Sequence, residues 1–319
     1  MSKELIILVG KDGRPSMRNV FSKMVSNAKL VVRRRIVAKG KEWLRVYEGN
    51  QGEKFIKRPI AELNGENRKV IRWGNRIEAD TNEGTIVYNK AEAVANATDK
   101  KLSREIFIKE KVRTPRLVTP SDVKDSDFPI IARPNRHAKG KNFIVLKDKA
   151  SFTAHYRQHN QAGWYYSQFI NKTAEFRVHC AHGKVLAVMQ KTPGGDKIAW
   201  NRAQTGEPFT WVEQKDFPFS VCFQALKATK VLGLDFAGVD VMQIEEKGKP
   251  QGYVLEVNTS PTLNSSETVS QRYAQYFDWL NRSDKRREHW DFTKFEKASS
   301  FAWKQFQLLD QANPSEAQS

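Results

Sequence analysis

The sequence predicts an α/β protein assembled from α+β subdomains, and three observations carry that prediction. Short runs with strand patterning alternate with helix-patterned runs from the first residues onward. The 319-residue length exceeds what one hydrophobic core ordinarily serves, so two or three packed subdomains are expected. Residues 235–264, DFAGVDVMQIEEKGKPQGYVLEVNTSPTLN, read as two strands with acidic side chains set between apolar neighbours.

Taken in order, KELIILVG and KDGRPSMRNVFSKMV read as strand, loop and helix. KLVVRRRIV, EWLRVYEG and KVIRWGNR are further strands, which together make an N-terminal α/β domain over 1–97. The Ala-rich NKAEAVANAT is helical. DKKLSREIFIKEK (99–111) has apolar residues at 102, 106 and 108 and reads as an amphipathic helix. VRTPRLVTP carries two prolines and leads into DFPIIARP and KNFIVLK, two strands bracketing the loop NRHAKGKN; the helix SFTAHYRQH follows. These form a second unit, 98–165. A third, 166–264, holds the strand WYYSQFI and the hairpin EFRVHCAHGKVLAVMQKT, turning at His182–Gly183. It continues with a helix from FSVCFQALKATKVLGL, ending near Gly233, and then the 235–264 strand pair. The last segment, 265–319, is helical and aromatic-rich (YAQYFDWL, FAWKQFQLL), a packing element with a polar tail after 311.

Composition narrows the class. Apolar content of 39% and charge of 28% are ordinary for a soluble enzyme. LIILVG is too short to span a bilayer and is flanked by charge, so it reads as a strand and no membrane association is expected. Two cysteines, Cys180 in a strand and Cys222 in a helix, make no disulfide framework; buried thiols and a cytoplasmic location fit. Net charge is +18, and residues 1–76 hold 19 Lys or Arg against 7 acids, densest at Arg33–Arg35. Such a field suits an acidic peptide, a phosphorylated metabolite or nucleic acid, or is simply a solvated basic face.

In the 235–264 segment the turn EKGKPQG separates GVDVMQI from YVLEVN. Period-two alternation sends Tyr253, Leu255 and Val257 to one face and Val254, Glu256 and Asn258 to the other. Antiparallel pairing brings Asp240 beside Glu256 and Asn258. Two carboxylates and an amide are oxygen donors suited to Mg²⁺, a hard cation that shares its shell with water and phosphate. An exposed acidic pair is the ordinary alternative, but Glu256 between Leu255 and Val257 is expected to be buried, where an unpaired carboxylate is costly.

FAGVDVM followed by VLEVNTSPTL resembles the closing motif of the ATP-grasp superfamily. The likeness is nearest to carboxylate–amine ligases that add amino acids, such as glutamate, to ribosomal-protein tails. D-alanine–D-alanine ligases share EVNTSP but carry an arginine where this chain has Gly238. The resemblance covers roughly 85–265, and more faintly the N-terminal domain. It implies an ATP-grasp fold in which 1–97 is the preceding domain, 98–165 a small lid and 166–264 the core with the adenine hinge.

The resemblance also implies a site. Asp240, Glu256 and Asn258 hold Mg²⁺, with Mn²⁺ as a substitute. Lys100, or Lys101 one residue on, and Arg133, where lysine is the family norm, meet the phosphates of ATP. Lys139, Gly140 and Lys141 form the loop over the triphosphate: glycine lets backbone approach and the lysines neutralise charge. Gln168, Phe169 and Ile170 receive adenine, and Glu175 the ribose hydroxyls. Arg177, Lys191 and Asn201 face the reacting phosphate; a surface ion pair between Glu175 and Arg177 is the plainer reading of that strand. Thr259, Ser260, Thr262 and Asn264 border the acceptor. The implied reaction is an ADP-forming amide ligation through an acyl phosphate. The amino acid or acidic peptide substrates, and a homo-oligomer, are partners by the same analogy. Phosphorylation of a small molecule, or nucleic-acid binding on this scaffold, are the alternatives.

Overall fold

The computed structural model describes residues 4–9, 14–24, 28–38, 41–48, 56–59, 68–75, 85–135, 143–159, 163–192, 209–263 and 266–282, with 28–38, 41–48 and 56–59 as backbone. Its elements arrange as three sheets. The first has six strands: β1 (Glu4–Val9), β2 (Ala28–Ala38), β3 (Lys41–Glu48), β4 (Ile56–Pro59), β5 (Arg68–Trp73) and β6 (Ile86–Tyr88), in the order β4-β3-β2-β1-β5-β6. β1 pairs parallel with β2 and β5, and β5 with β6, whereas β2, β3 and β4 pair antiparallel. Helix α1 (Arg14–Phe21) follows β1. The sequence signals for the N-terminal strands and α1 hold; the short strands β4 and β6 carry none.

Helices α2 (Ala91–Thr98) and α3 (Lys100–Lys109) follow, with Asp99 capping α3 by accepting from the N–H groups of Lys101 and Leu102. A three-stranded antiparallel sheet comes next, β7 (Ile130–Pro134), β8 (Ile144–Leu146) and β9 (Trp164–Gln168), ordered β8-β7-β9 and packed on α4 (Lys149–His159). A division at 165/166 therefore falls within β9. The five-stranded antiparallel sheet consists of β10 (Ala174–Ala181), β11 (Lys184–Lys191), β12 (Phe209–Trp211), β13 (Phe236–Glu246) and β14 (Lys249–Asn258), in the order β12-β11-β10-β13-β14. Helix α5 (Phe219–Val231) precedes β13, and α6 (Glu267–Arg282) closes the described chain. Among the described residues no helix is long and apolar enough to cross a membrane.

The two faces of the five-stranded sheet have different jobs. Phe176, Val178 and Cys180 of β10, with Ala237, Val239 and Val241 of β13, point to α5 and form a core with Val221, Cys222, Ala225 and Leu226. Burial raises both thiols' pKa, Cys180 to about 12, so they are inert packing groups. The opposite face begins with Phe236 and Ala187 in a second core shared with the first sheet. There α6 lies between the sheets, with Trp73 stacked on Phe236 and edge-on to Tyr273 and Phe277. The aromatic-rich helix is packing, as its sequence suggests.

One turn is tighter than the sequence implies. β13 and β14 continue to a two-residue turn, Lys247–Gly248, both with positive φ, instead of the seven-residue EKGKPQG. His182 and Gly183 close β10–β11 in the same way, as expected.

Asn89 fastens the first sheet to the third. It sits at φ 56°, a left-handed conformation that asparagine tolerates, just after β6. Its side-chain oxygen accepts from the N–H groups of Asp235 (2.8 Å) and Phe236 (3.2 Å), and Nδ2 donates to the Phe236 carbonyl at 2.9 Å. Its backbone N–H donates to Asp235 Oδ2 at 2.7 Å. Asn89→Ala is expected to lower unfolding free energy by about 2–3 kcal/mol, since it strands buried backbone groups and leaves Cβ at positive φ without compensation. Asn89→Gly should relieve only the backbone part. Urea unfolding of the two variants beside the parent checks both.

Candidate functional site

The face of the five-stranded sheet away from α5 carries the site. Alternation on β10 presents Glu175, Arg177 and His179 there, β11 ends with Lys191, β13 supplies Asp240, and β14 supplies Glu256 and Asn258. Asp240 and Glu256 are direct cross-strand partners. Asn258 donates from Nδ2 to Glu256 Oε1 at 3.3 Å.

The simple alternation expected for YVLEVN does not survive. Asp240 pairs with Glu256 but Val241 pairs with Val254, so β14 bulges at Leu255. Val254 consequently turns with Val257 into the α5 core, while Glu256 and Asn258 keep the site face. A bulge re-aims side chains, and a one-residue shift inverts every side chain before it.

The bulge is held by a residue the sequence reading passed over. Arg104 of α3 is 2% exposed and donates from Nη2 to the Leu255 carbonyl and from Nη1 to that of Pro115, both at 3.0 Å. Its guanidinium lies 5.8 Å from the Tyr165 ring centroid. Burial lowers its pKa to about 10, still cationic at neutral pH. Arg104 lies one turn beyond Lys100, so both project from one face of α3. The apolar pattern predicted for this helix holds at Ile106, which packs on the α5 core, but Leu102 and Ile108 are exposed, and Ser103, Arg104 and Phe107 are the buried set. The helix turns its cationic stripe inward because carbonyls and Glu256 await donors there. A basic residue four positions after Lys100 was the available signal.

The acids and bases interlock. Lys100 pairs with Glu256, whereas Lys101 points outward to Glu105 at 3.7 Å. Arg177 grips Asp240 in a fork, Nε to Oδ1 at 2.7 Å and Nη2 to Oδ2 at 2.9 Å. Lys191 reaches Asp240 Oδ2 at 3.0 Å and also pairs with Glu175, whose other oxygen meets Lys172. The surface pair Glu175–Arg177 therefore does not form. Burial alone would raise the Asp240 pKa, but Arg177 and Lys191 outweigh it and hold the carboxyl far below its usual range. For Glu256 burial likewise pushes up and Lys100 pulls the pKa down. Arg177 also lies 5.1 Å over the Phe209 ring.

The remaining predicted residues divide. Arg133 lies at the end of β7, opposite Tyr165, with its guanidinium 5.9 Å from the Phe143 ring centroid. The N–H groups of Gln168 and Phe169 donate to the carbonyls of Arg116 (2.9 Å) and Pro129 (3.3 Å), so those two donors are engaged within the chain; Ile170 follows. Lys139, Gly140, Lys141, Asn201 and Asn264 lie outside the described residues. Gly238, where D-alanine–D-alanine ligases carry arginine, is explained by packing. A methyl group there would stand 2.6 Å from Cβ of Pro261, which occupies the space an arginine would need.

The donor set fits a magnesium nucleotide. Among the described residues no cluster of three or more His, Cys, Asp and Glu could hold a metal. Two carboxylates and an amide alone suit a cation that completes its shell with phosphate oxygens and water. Among the described residues Lys100, Lys172, Arg177 and Lys191 gather around Glu175, Asp240 and Glu256, and such a cluster of cations suits phosphate oxygens.

Comparison with known proteins agrees with this geometry. Residues 97–275 match the RimK-like ATP-grasp domain. A probable alpha-L-glutamate ligase of Parasynechococcus marenigrum is 26% identical over 200 residues, 59% of this chain and 41% of that protein. One of Haemophilus influenzae is 29% identical over 203 residues, 59% of this chain and 63% of that protein. The chain thus spans well under two thirds of the length of some relatives. Among solved structures, the ATP-grasp ligase PsnB complexed with a minimal precursor superposes with a TM-score of 0.59 at 17% identity, over 85% of this chain and 97% of that one. D-alanine–D-alanine ligase from Bacillus anthracis gives 0.57 at 14% identity, over 95% and 99%. At such identities the likeness is one of fold.

Replacing Arg104 by Met, which keeps bulk but leaves the Leu255 and Pro115 carbonyls without a donor, should cost about 3 kcal/mol of stability and loosen Glu256. Denaturant unfolding and MgATP affinity would both register it. His179 supplies a pH test. It is buried and neutral, with burial lowering its pKa from 6.5 to about 3. Below about pH 6 the unfolded imidazole gains a proton that the folded one refuses, so stability falls with pH, by up to ~1.4 kcal/mol per unit. Unfolding at pH 7 and pH 5 should show this loss, and His179→Gln should diminish it.

Proposed function

This chain belongs to the RimK-like ATP-grasp family, and on that premise we propose that it is an ATP-dependent carboxylate–amine ligase that forms an amide and releases ADP and phosphate. The observation that carries the proposal is the sheet face on which Asp240 and Glu256 stand paired across two strands amid Lys100, Arg177 and Lys191. Magnesium, held by Asp240, Glu256 and Asn258, would neutralise phosphate charge and polarise the transferred phosphoryl group.

The protein's task in such a reaction is to bring a carboxylate and a triphosphate together against their repulsion, which is positioning and charge stabilisation. Lys100, Arg133 and the 139–141 loop would hold the phosphates. Arg177, Lys191 and Asn201 would stand at the transferred phosphoryl and the nascent acyl phosphate. The cations now paired with Glu175, Asp240 and Glu256 would exchange those partners for phosphate oxygens as nucleotide enters. With the N–H groups of Gln168 and Phe169 engaged, adenine would be read by carbonyls of the 168–170 segment and the N–H of Ile170, and Glu175 would take the ribose hydroxyls. The substrate carboxylate attacks the γ-phosphate, ADP leaves, and a neutral amine displaces phosphate from the acyl phosphate; no strongly basic side chain is required.

The relatives' name, alpha-L-glutamate ligase, makes glutamate the first amino acid to test, and peptide-bound neighbours make an acidic peptide the first acceptor. ADP release from MgATP should depend on both, and the product should weigh one water less than the two substrates together. A substrate heavier by one phosphoryl group would instead mean a phosphotransferase. Glu256→Gln should cut turnover at least about 100-fold with the fold intact by circular dichroism. Parent-like turnover by that variant would overturn the assignment.

A further inference from the structure

The basic end of the first sheet stands on the edge that meets the candidate site. Register places Lys57 of β4, Arg45 of β3, Val32 of β2, Val9 of β1 and Trp73 of β5 in one row across the sheet. β1 is described to Val9, whereas β2 runs on past that row to Ala38, in the direction in which β1 and β5 end. Just beyond Trp73 comes Gly74, where an added Cβ would stand 2.6 Å from Cβ of Ser260, two residues after Asn258. The carboxyl edge of the sheet thus touches the chain that leaves β14. Farther along that chain, Leu263 donates its N–H to Ser16 Oγ in the first turn of α1 at 3.0 Å.

Charge is balanced on one side of this row and unbalanced on the other. Below it, Lys29 of β2 is the cross-strand partner of Glu48 of β3. In the row itself Arg45 and Lys57 are direct partners, a like-charged placement that costs stability. Past it the strands carry Arg33, Arg34, Arg35, Lys41 and Arg58, with Glu42 the one acid among the described residues there. Arg33–Arg35 fall in a break of register: Val32 pairs with Arg45 and Ile36 with Trp43, so the arginines stand opposite Leu44 alone. Such an irregularity bends a strand and interrupts its ladder. A sheet that matches its charges away from the site, and sets like beside like at the site's edge, is complementary to an anion brought to that edge.

We propose that the ribbon of β2, β3 and β4 docks an acidic peptide through Arg33–Arg35, Arg45, Lys57 and Arg58, and that the peptide's reacting end runs along the sheet edge to the Asp240–Glu256 face. The inference rests on the ligase reading for what happens to the peptide, and it adds where the peptide is held. Adjacent strands lie about 4.8 Å apart, so Val32 and Trp73, separated by β1, are roughly 10 Å from each other. The step from Ser260 back to Asn258 adds about 7 Å of extended chain. With the Gly74–Ser260 contact the path is roughly 20 Å, which about six extended residues cover. A peptide offers carboxylates repeated along an extended backbone, which guanidinium forks match, together with a group for ligation. A nucleic acid satisfies the charge but brings no carboxylate.

Fluorescence anisotropy of the full chain with fluorescein-labelled octaglutamate tests the surface without turnover. Binding should saturate and weaken as NaCl rises, and octaglutamine should not compete. The variant Arg33→Gln/Arg34→Gln/Arg35→Gln should bind octaglutamate about tenfold more weakly, the summed effect of surface charge pairs, with affinity for a fluorescent MgADP analogue within about twofold. Arg45→Gln/Lys57→Gln should also weaken peptide binding, yet urea unfolding should show equal or higher stability, because a like-charged pair is removed. Lower stability with unchanged peptide affinity would make these residues structural and reject the proposal. Equal octaglutamate binding by the parent and both variants would overturn it. So would tighter arginine-dependent binding of a thymidine dodecamer, in favour of nucleic acid. In the ADP-release assay, a peptide whose tetraglutamate lies about six residues from its reacting glutamate should have a lower KM than one with the two adjacent, and only in the parent. ADP release with peptide KM values untouched by the variants would leave the ligase standing and remove the docking surface. Variant-sensitive octaglutamate binding without ADP release would do the reverse.

Discussion

The proposed chemistry depends on two carboxylates standing side by side, Asp240 buried and Glu256 half-buried. Asp240 and Glu256 face each other across β13 and β14, and like charges at that separation repel strongly in a partly dry environment. Cations from three different elements make the pair tolerable. Arg177 comes from the neighbouring strand β10, Lys191 from the end of β11, and Lys100 from the first turn of α3. Their long side chains reach the two carboxylates from three directions.

That arrangement requires an irregular strand. A regular β14 would commit alternate residues to one face without interruption. The bulge at Leu255 lets Val254 and Val257 both reach the α5 core while Glu256 and Asn258 remain on the site face. A bulge leaves a carbonyl unpaired within the ladder, and Arg104 supplies the donor. The buried arginine on α3, the bulge and the placement of Glu256 are therefore one device. It also explains why α3 exposes Leu102 and Ile108: the helix turns inward the face that carries Lys100, Arg104 and Phe107.

The rest of the fold braces this face from below. The first sheet, α6 and the lower half of the third sheet share one aromatic core, and Asn89 ties β6 to the start of β13. Pro261 packs into the space above Gly238, which brings Thr262, Leu263 and the start of α6 against β10 and closes the cavity beside Arg177.

The sequence by itself determined the fold class, the order of the longer strands and helices, and the meeting of Asp240, Glu256 and Asn258 on one sheet face. Each is encoded locally: period-two alternation, glycine at turns such as His182–Gly183, and acids embedded in apolar runs at fixed spacing. Lys100, Glu175, Arg177 and Lys191 were legible in the same way, because a motif states residue type and order along one strand or helix end. What only the tertiary structure decided is which charges pair. Arg177 pairs with Asp240 and not with Glu175 two residues before it, Lys191 bridges both acids, and the Gln168 and Phe169 amides are already spent. The bulge, the role of Arg104 and the hydrogen bond between His179 and Tyr273 belong here too. Each depends on a partner about 90 to 150 residues away, and a buried polar group takes whichever donor or acceptor the packing of distant elements leaves within about 3 Å of it.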